Sequence, residues 1–436
     1  MEDVLRIAEE TSSVVSELLS ASSAEWEVYV EAGRNGSFQI EKEELEKAQR
    51  RFYSGVGLRV AKDGYVGFSY LTGLNHSRDA IEQLTKKALS LAKLREVRFY
   101  GFPTERRGSN VDGLYDRRID EVPFEEVYGM ASELADYMKK EKPSMDYTIS
   151  GGLSLSVKNV GVTNSNGLEA AESRTYMEVS GYTVKKGDRV GNGYAFQTYR
   201  NLIPVEGMEA IIDKSIGEAN KNSEASKMDG YTGEIALHPH ALASILSVFL
   251  PNLMGDSVYY GRSKISRVGE TVASEVLTIR DDARMEGWPG SYSFDGEGTS
   301  GQRTVLIEHG EVRSFLLDER YARLLEMEST GNGLRGFRST PEIGTSNVII
   351  EPGMGSLDEP EVPMVIEVFG EHTANPVSGD FSLTVGLGEF RGEYFKDNML
   401  TGNVFELLRN ISAVGRDPER VGNFSSPVVI SRARIV

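Results

Sequence analysis

The chain has 436 residues, 39% of them hydrophobic, and its 66 acidic against 48 basic side chains give a net charge of −18 at pH 7. This length predicts about two to three domains, and the negative charge argues against nucleic acid as a direct partner because it repels a phosphate backbone. No stretch approaches the ~20 consecutive apolar residues of a membrane helix, and the N-terminus lacks the pattern of a secretory signal. The absence of cysteine excludes disulfides, thiolate metal ligands and a cysteine nucleophile. We therefore expect a cytoplasmic protein with no membrane partner, in which any metal is bound by His, Asp or Glu.

The first part of the chain mixes helices with alternating strand patterns, which predicts an α+β unit over residues 1–94 and a polar connector over 95–122. The Arg34-Asn35-Gly36 sequence is a hairpin signal and predicts a turn between two of the strands. The predicted elements are, in order, a helix at 3–19, strands at 26–30, 37–41, 55–61 and 65–70, and a helix that begins near Asn75 or Ser77 and extends to about 91.

A second α+β unit, packed with the first, is predicted over residues 123–225, and the polar segment 221–230 marks its boundary. Its predicted elements are helices at 123–141 and 206–219 and strands at 147–157, 171–184 and 191–198.

The remainder, residues 226–436, contains mainly short strands and many glycines, which predicts a barrel-like or sandwich-like β domain. Its predicted strands include 303–307, 312–317, 348–351, 364–369, 381–385, 389–395 and 428–435. The overall expectation is an α+β protein with an N-terminal mixed helix and antiparallel-sheet region followed by this β-rich domain.

A helix over residues 238–251 opens with two of the five histidines of the chain. Two histidines suggest zinc, but a metal-binding helix needs its histidines on one face and a carboxylate nearby. His238 and His240 are two positions apart, which places them on different faces of a helix, and Pro239 stands between them. The alternative is structural, with His238 as the N-cap and Pro239 at the first helical position.

Two polar segments of the β-rich part have candidate binding residues. Asp295 and Glu297 flank a glycine just before a strand that begins at Arg303, and paired carboxylates can hold a hard cation or serve acid–base chemistry. A turn with solvated acids is the more common structure for such a stretch. Asn375 and Asp380 lie in a polar loop that either lines a cleft or connects two strands. No serine, histidine and acid are ordered or spaced so as to define a nucleophile.

Several ordered motifs in the C-terminal half resemble the TldD/PmbA family. They are FDGEGTSGQRTVLIEHGEVRSFLLDERYARLLEMESTGNGLR at 294–335, NPVSGDFS at 375–382, Thr-Gly-Asn at 401–403, Val-Gly-Arg-Asp at 414–417 and Ser-Pro at 426–427. The resemblance is looser in the N-terminal half, where it rests on the order of helices and strands.

Members of the TldD branch have a His-Glu-x-x-x-His motif on the helix after the central boundary and a cysteine ligand in a glycine-rich stretch near the C-terminus. If His238 is the first histidine of that motif, Pro239 and Ala243 stand at the glutamate and second histidine positions. The C-terminal stretch at 421–427 is VGNFSSP, without cysteine. The chain is therefore similar to the TldE (PmbA) branch, and the resemblance implies no catalytic residue and no metal ligand here.

The resemblance further implies a heterodimer in which a TldD-like subunit carries zinc. A homodimer of the isolated chain is an alternative that the sequence leaves open. This chain would enclose a cavity where unfolded peptides are cleaved during peptide maturation or antitoxin degradation. Our candidates for cavity or interface residues are Asp295, Glu297, Arg303, Asn375 and Asp380.

Two alternatives stay open. One is an autonomous metal-dependent peptidase that uses His238 or His372 with nearby acids. The other is a non-enzymatic regulator of DNA gyrase or of toxin–antitoxin function.

Overall fold

A computed structural model describes residues 2–74, 76–104, 108, 110–357 and 360–436. Two candidate features from the sequence, the Asn75 cap and part of the 95–122 connector, lie outside these ranges. In the first half of the chain the elements are α1 (Glu2–Leu19), β1 (Glu25–Glu41), β2 (Glu44–Lys62), β3 (Tyr65–Thr72), α2 (Arg78–Lys93), α3 (Arg117–Glu121), α4 (Phe124–Glu141), β4 (Tyr147–Asn164), β5 (Glu169–Lys185), β6 (Gly191–Tyr199) and α5 (Val205–Glu224).

The second half begins with a strand and the helix that opens with histidines. Its elements are β7 (Tyr231–Leu237), α6 (Pro239–Phe249), α7 (Gly255–Tyr259), β8 (Ile279–Asp282), β9 (Arg303–Glu308), β10 (Glu311–Val312), α8 (Glu319–Leu324), β11 (Gly333–Leu334), β12 (Glu342–Ile343), β13 (Val348–Ile350), β14 (Met364–Phe369), β15 (Asp380–Phe390), β16 (Glu393–Phe395), β17 (Met399–Asn403), α9 (Val404–Arg409), β18 (Ala413–Val414), β19 (Glu419–Val421), β20 (Phe424–Ser426) and β21 (Val429–Ile435). Short 3₁₀ turns lie at Leu250–Leu253 and Glu371–Thr373.

The two predicted N-terminal units share one antiparallel six-stranded sheet, in the order β3-β2-β1-β4-β5-β6. Val28 and Val30 point to the face covered by α1 and α2, and Phe38 and Ile40 point to the same face where α4 and α5 pack. Tyr29 points to the opposite face and packs with Phe294 of the C-terminal half. This second face is therefore where the N-terminal sheet meets the rest of the protein.

The hairpin predicted at Arg34-Asn35-Gly36 is wrong. Strand β1 continues through these residues and pairs with β2 on one side and β4 on the other. The chain turns instead at Lys42 and Glu43, which have φ angles of 52° and 63°. Pairing on both edges outweighs a local turn signal, and nearby Gly33 is needed because a Cβ there would lie 2.4 Å from the ring of Tyr53.

The C-terminal half contains a closed five-stranded barrel, which confirms the barrel-like expectation. Its strands follow the order β14-β7-β21-β17-β15, and β15 pairs back with β14 to close the ring. A second sheet has the order β10-β9-β8-β13-β20-β19. Helix α6 packs its buried residues, such as Leu242 and Ile245, into the core shared by these sheets. Among the described helices, none is long and apolar enough to cross a membrane.

Several sequence-level boundaries agree with the structure and others do not. Ser77 is the N-cap of α2, and its side chain accepts a hydrogen bond from the amide of Ala80. The strand predicted at 312–317 is confined to Glu311–Val312. The strand predicted at 389–395 is instead the end of β15, a tight turn and β16, with Arg391 at a φ of 55°.

Candidate functional site

Helix α6 begins as its sequence predicts, with His238 as the N-cap and Pro239 in the first turn. His238 has an extended backbone, and its Nδ1 accepts a hydrogen bond from the amide of His240 at 3.4 Å. That hydrogen bond leaves the proton of a neutral His238 on Nε2. The expectation that the two histidines lie on different faces is wrong, because the cap residue lies outside the helical path. Their rings stack at 5.5 Å with an interplanar angle of 15°.

Both imidazoles face one carboxylate, that of Glu419 in β19. The Nε2 atom of His238 lies 3.1 Å from Glu419 Oε2, and that of His240 lies 3.6 Å from Oε1. Lys214 in α5 places its Nζ 2.8 Å from Glu419 Oε1 and 3.4 Å from His240 Nε2. Hydrogen bonds from His238, His240 and Lys214 hold the pKa of Glu419 far below its ordinary value, although burial opposes this shift. The four side chains form the histidine–glutamate cluster.

A cavity of about 250 Å³ adjoins this cluster, between the N-terminal sheet and the barrel. His240 and Ala243 line it from α6, and Glu218 and Glu367 line it from α5 and β14. Burial, reinforced by the charge of Glu218, raises the pKa of Glu367 to about 7. Burial also raises the pKa of Glu218. Glu367 can therefore hold or release a proton near neutral pH at the cavity wall.

The residues at this place do not fit a zinc ion. Among the residues that the structure describes, no three or more His, Asp or Glu side chains are grouped so that they could hold one metal ion. The ammonium of Lys214 already supplies a positive charge beside Glu419 and His240. Zinc needs neutral imidazoles and carboxylates converging on one point, whereas here the histidines and the lysine share Glu419. Ala243 presents only a methyl group to the cavity.

The turn that contains Asp295 and Glu297 is buried, so the expectation of solvated acids is wrong. The two residues are 3% and 2% exposed. Asp295 accepts backbone hydrogen bonds from Glu297, Thr299 and Gly333 at 2.8–3.0 Å. Glu297 accepts from the amide of Glu319 at 2.9 Å and from Arg59 Nη2 at 2.9 Å. Burial raises the pKa of Asp295 well above its ordinary range, and burial raises that of Glu297 to about 7 against the attraction of Arg59.

Three further buried charges, missed at the sequence level, complete this carboxylate–arginine cluster. Glu27 accepts two hydrogen bonds from Arg59, at 2.8 and 2.6 Å, and one from Arg335 Nη1 at 2.5 Å. The side chains of Glu27 and Arg335 are fully buried. Arg59 therefore joins Glu27 of the N-terminal sheet to Glu297 of the C-terminal half. An arginine shared by two buried carboxylates fixes the docking of the two regions and leaves no open coordination position.

The other candidate residues lie on the surface in separate places. Arg303 is 60% exposed and lies 3.4 Å from Glu351 and 4.0 Å from Asp282. Asn375 and Asp380 are brought together in one exposed loop. There the Asn375 side chain accepts hydrogen bonds from the amides of Val377 and Ser378. Asp380 accepts from Asn403 Nδ2 at 2.8 Å. This loop is held by its own turn hydrogen bonds.

Three family models match the chain along most of its length. They are the PmbA/TldA metallopeptidase domain 1 at residues 26–92, the central domain at 117–222 and the C-terminal domain at 231–435. The chain belongs to the PmbA/TldD family. Within this family of TldD and PmbA metalloprotease homologues, the chain is TldE-like.

Relatives and solved structures align along nearly the whole chain. An uncharacterized protein of Methanocaldococcus jannaschii is 29% identical over 92% of this chain and 93% of its own length. Metalloprotease PmbA of Escherichia coli O157:H7 is 23% identical over 98% of this chain and 95% of its own. The crystal structure of TldE from Thermococcus kodakarensis has a TM-score of 0.82, 24% identity and coverage of 100% and 99%. A Thermotoga maritima protein named as a candidate modulator of a DNA gyrase has a TM-score of 0.86, 22% identity and coverage of 98% and 99%. At these identities the structural likeness shows the shared fold.

Proposed function

We propose that this chain is the TldE-like subunit of a cytoplasmic TldD/TldE-type peptidase, in which a TldD-like partner supplies zinc and the catalytic groups. The complex would cleave unfolded peptides, in processes such as peptide maturation or antitoxin degradation. In this proposal the chain itself contributes no metal ligand and no nucleophile. Its part is to complete the enclosure around the partner's active site and to help orient the peptide.

The histidine–glutamate cluster is the observation that carries this proposal. His238 and His240 are the histidines best placed for a metal, yet both are engaged by Glu419, which is also bound by Lys214. A zinc ion bound by the two histidines and Glu419 would compete with Lys214 for the carboxylate and would place a second cation beside its ammonium. That arrangement is unfavourable because like charges at such distances repel. His372, the other candidate, is exposed in a 3₁₀ turn and belongs to no metal-binding group among the described residues.

The test is reconstitution with the TldD-like subunit. Each subunit is purified alone, and cleavage of an unfolded peptide is measured for each and for the mixture, with and without a zinc chelator. We expect co-purification of the two chains, no cleavage by this chain alone and chelator-sensitive cleavage by the mixture that exceeds that of the zinc subunit. A mixture no more active than the zinc subunit would refute the proposal.

A pair of variants separates this proposal from an autonomous metal site. Replacing both His238 and His240 by alanine removes every imidazole of the cluster, and we expect the mixture to remain active and zinc-dependent. Replacing the glutamate of the partner's zinc motif by glutamine should abolish cleavage. If the histidine variant still assembles with the TldD-like subunit but the mixture no longer cleaves peptide or binds zinc, the catalytic metal site lies in this chain.

One comparison favours a second candidate, a regulator that acts by binding. The Thermotoga maritima protein of the same fold is named as a candidate modulator of a DNA gyrase. If this chain alters gyrase activity equally well when the partner's zinc site is disabled, regulation without proteolysis is the better account.

A further inference from the structure

A second cavity, of about 220 Å³, lies where the open face of the N-terminal sheet meets the C-terminal half. Three neighbouring strands supply its floor, with Tyr29 from β1, Lys158 from β4, and Arg174 and Tyr176 from β5. Arg335, from the segment after β11, closes the opposite side. The cavity is thus lined by three cationic side chains and three phenols, the third from Tyr292, in a chain whose net charge is −18.

Lys158 retains capacity for further hydrogen bonds at this cavity, whereas the unpaired donors of Arg335 are buried. The side chain of Lys158 is 26% exposed, and its Nζ has Glu31 at 3.2 Å. An ammonium has three donors. Arg335 is fully buried, and its Nε and Nη2 atoms have no hydrogen-bond partner in the part of the chain that the structure describes. Its guanidinium lies 4.8 Å from the centroid of the Tyr29 ring.

Arg174 is more fully occupied and fixes the shape of the wall. Its Nε donates to Glu172 at 2.6 Å, and its Nη2 donates to the carbonyl of Phe294 at 3.0 Å. These contacts hold the arginine across the junction of the two regions. A charge fixed in this way needs little reorganisation when an anion binds.

Asp295 is the carboxylate that lines the cavity in the described part of the chain, and it is not paired with these cations, whose partners are Glu31, Glu172 and Glu27. Both of its oxygens are directed to backbone amides, Oδ1 to Glu297 and Thr299 and Oδ2 to Gly333. Burial raises its pKa well above the ordinary range. The phenol of Tyr176 responds in the opposite sense: burial disfavours its ionisation, but Arg200, Arg174 and Lys158 together hold its pKa below the ordinary value. The lowered pKa of Tyr176 reports nearby positive charge, whereas the raised pKa of Asp295 reflects burial and the neighbouring charge of Glu297.

We infer that this cavity is a binding site for one small oxyanion, either a phosphate or the terminal carboxylate of a peptide. The Lys158 ammonium and the Tyr176 hydroxyl offer donors for an oxyanion, and those of the ammonium form short charge-assisted hydrogen bonds. The hydroxyls of Tyr29 and Tyr292 already donate to the carbonyls of Arg335 and Gly331. The volume suits one such group rather than a nucleotide or a folded partner. The inference concerns this chain alone and does not depend on the proposed zinc-bearing partner.

The experiment is isothermal titration calorimetry of the full chain with inorganic phosphate, at constant ionic strength set by chloride. We expect saturable binding at one site per chain. Lys158→Gln removes the most accessible cation and should weaken phosphate binding about tenfold, the effect of losing one hydrogen bond to a charged group. Lys158→Arg keeps the charge and should restore most of the affinity.

Lys139→Gln is the matched control, because Lys139 has the same charge and a 2.8 Å contact with Glu44 but lies in α4, outside the residues that line the cavity. It should leave the dissociation constant unchanged. A short peptide with a free C-terminus and its C-terminal amide then distinguish the two sources of the oxyanion. Displacement of phosphate by the free acid alone identifies a peptide terminus as ligand, and displacement by neither identifies phosphate.

Two results would overturn the inference. One is the absence of saturable binding of both phosphate and the free-acid peptide. The other is an unchanged affinity in Lys158→Gln when circular dichroism shows the variant to be folded. Since neither measurement involves peptidase activity or the partner, failure here and failure of the proposed function are separate outcomes.

Discussion

Glu297 and Glu419 both accept hydrogen bonds from cationic side chains across the junction of the N-terminal and C-terminal regions, but only Glu419 is open to solvent. Glu297 is 2% exposed and shares Arg59 with Glu27. The side chain of Glu419 is 39% exposed and adjoins a cavity. The Glu27–Arg59–Glu297 contact within the carboxylate–arginine cluster therefore has a structural role, whereas Glu419 of the histidine–glutamate cluster has room for a ligand or a partner beside it. Buried charge alone does not identify a functional site; an accessible surface beside it is also required.

The largest effect is expected where the charges are most deeply buried. Glu27→Gln removes the anion shared by Arg59 and Arg335 and leaves two buried cations without their main counter-charge. Breaking such a pair from one side costs about 3–5 kcal/mol of the free energy of unfolding. Urea denaturation at pH 7 measures this loss.

Glu25→Gln, an exposed position on the same strand, provides the control and should change stability little. A double replacement of Glu27 and Arg335 by methionine should recover part of the loss, because no unpaired charge then remains between them. Equal stabilities of Glu27→Gln and Glu25→Gln would mean that the cluster does not hold the two regions together.

A second difference between the clusters is the sign of their response to pH. Burial raises the pKa of Glu297 from 4.5 to about 7. Its contribution to the free energy of unfolding is therefore full below pH 4.5 and is lost as the pH rises to about 7, since the folded state retains a proton that the unfolded chain releases. Between pH 4.5 and 7.5 we expect the free energy of unfolding of the wild type to fall by roughly 1–3 kcal/mol more than that of Glu297→Gln. Parallel pH profiles of the two proteins would contradict the buried, proton-binding state of Glu297.

Glu419 should show the opposite dependence with a smaller effect. Its pKa is lowered by His238, His240 and Lys214, so its contribution is present above the ordinary glutamate pKa and is lost as the pH falls. Because the side chain is partly exposed and screened, Glu419→Gln should cost only about 1 kcal/mol at pH 7. The difference from the wild type should shrink below pH 4.5, as thermal unfolding across this range can show. A growing difference at low pH would reverse the assigned sign.

The smallest effect on folding is expected at Arg303. Its side chain is 60% exposed and has only long contacts with Glu351 and Asp282. Arg303→Ala should change the free energy of unfolding by less than about 0.5 kcal/mol. If Arg303 serves the interface with a TldD-like subunit, the same variant should weaken co-purification. A large loss of stability in the isolated chain would show instead that Arg303 stabilises the fold.

The parts of the fold that the sequence predicts are those set by local pattern. Pro239 at the start of an apolar helical pattern predicts the cap at His238, and the alternation of Val28 and Val30 predicts β1. The turn at residues 34–36 is wrongly predicted because its strand has neighbours on both sides, and those neighbours are remote in sequence. Local propensity cannot register pairing that forms only in the folded chain.

The burial of the carboxylate–arginine cluster likewise depends on contacts between residues that are remote in sequence. Asp295 and Glu297 are recognisable as paired acids, but their burial depends on Arg59, which is 238 positions from Glu297. Glu27 occupies a polar position of an alternating strand, which usually faces water. Here the face is covered by Arg335, 308 positions away. No periodicity of a single segment contains that information.

The double pairing of β1 also constrains how the chain reaches its folded state. Val28 pairs with Leu58 on one edge and with Thr163 on the other. During synthesis, an emerging first region can form the hairpin with β2 but must keep its second edge unpaired until β4 leaves the ribosome. An open strand edge is prone to pairing with other chains, and contacts so distant in sequence slow folding. The boundary between the first two family domains is therefore a poor place to divide the protein, because a fragment that ends there exposes the middle of a sheet.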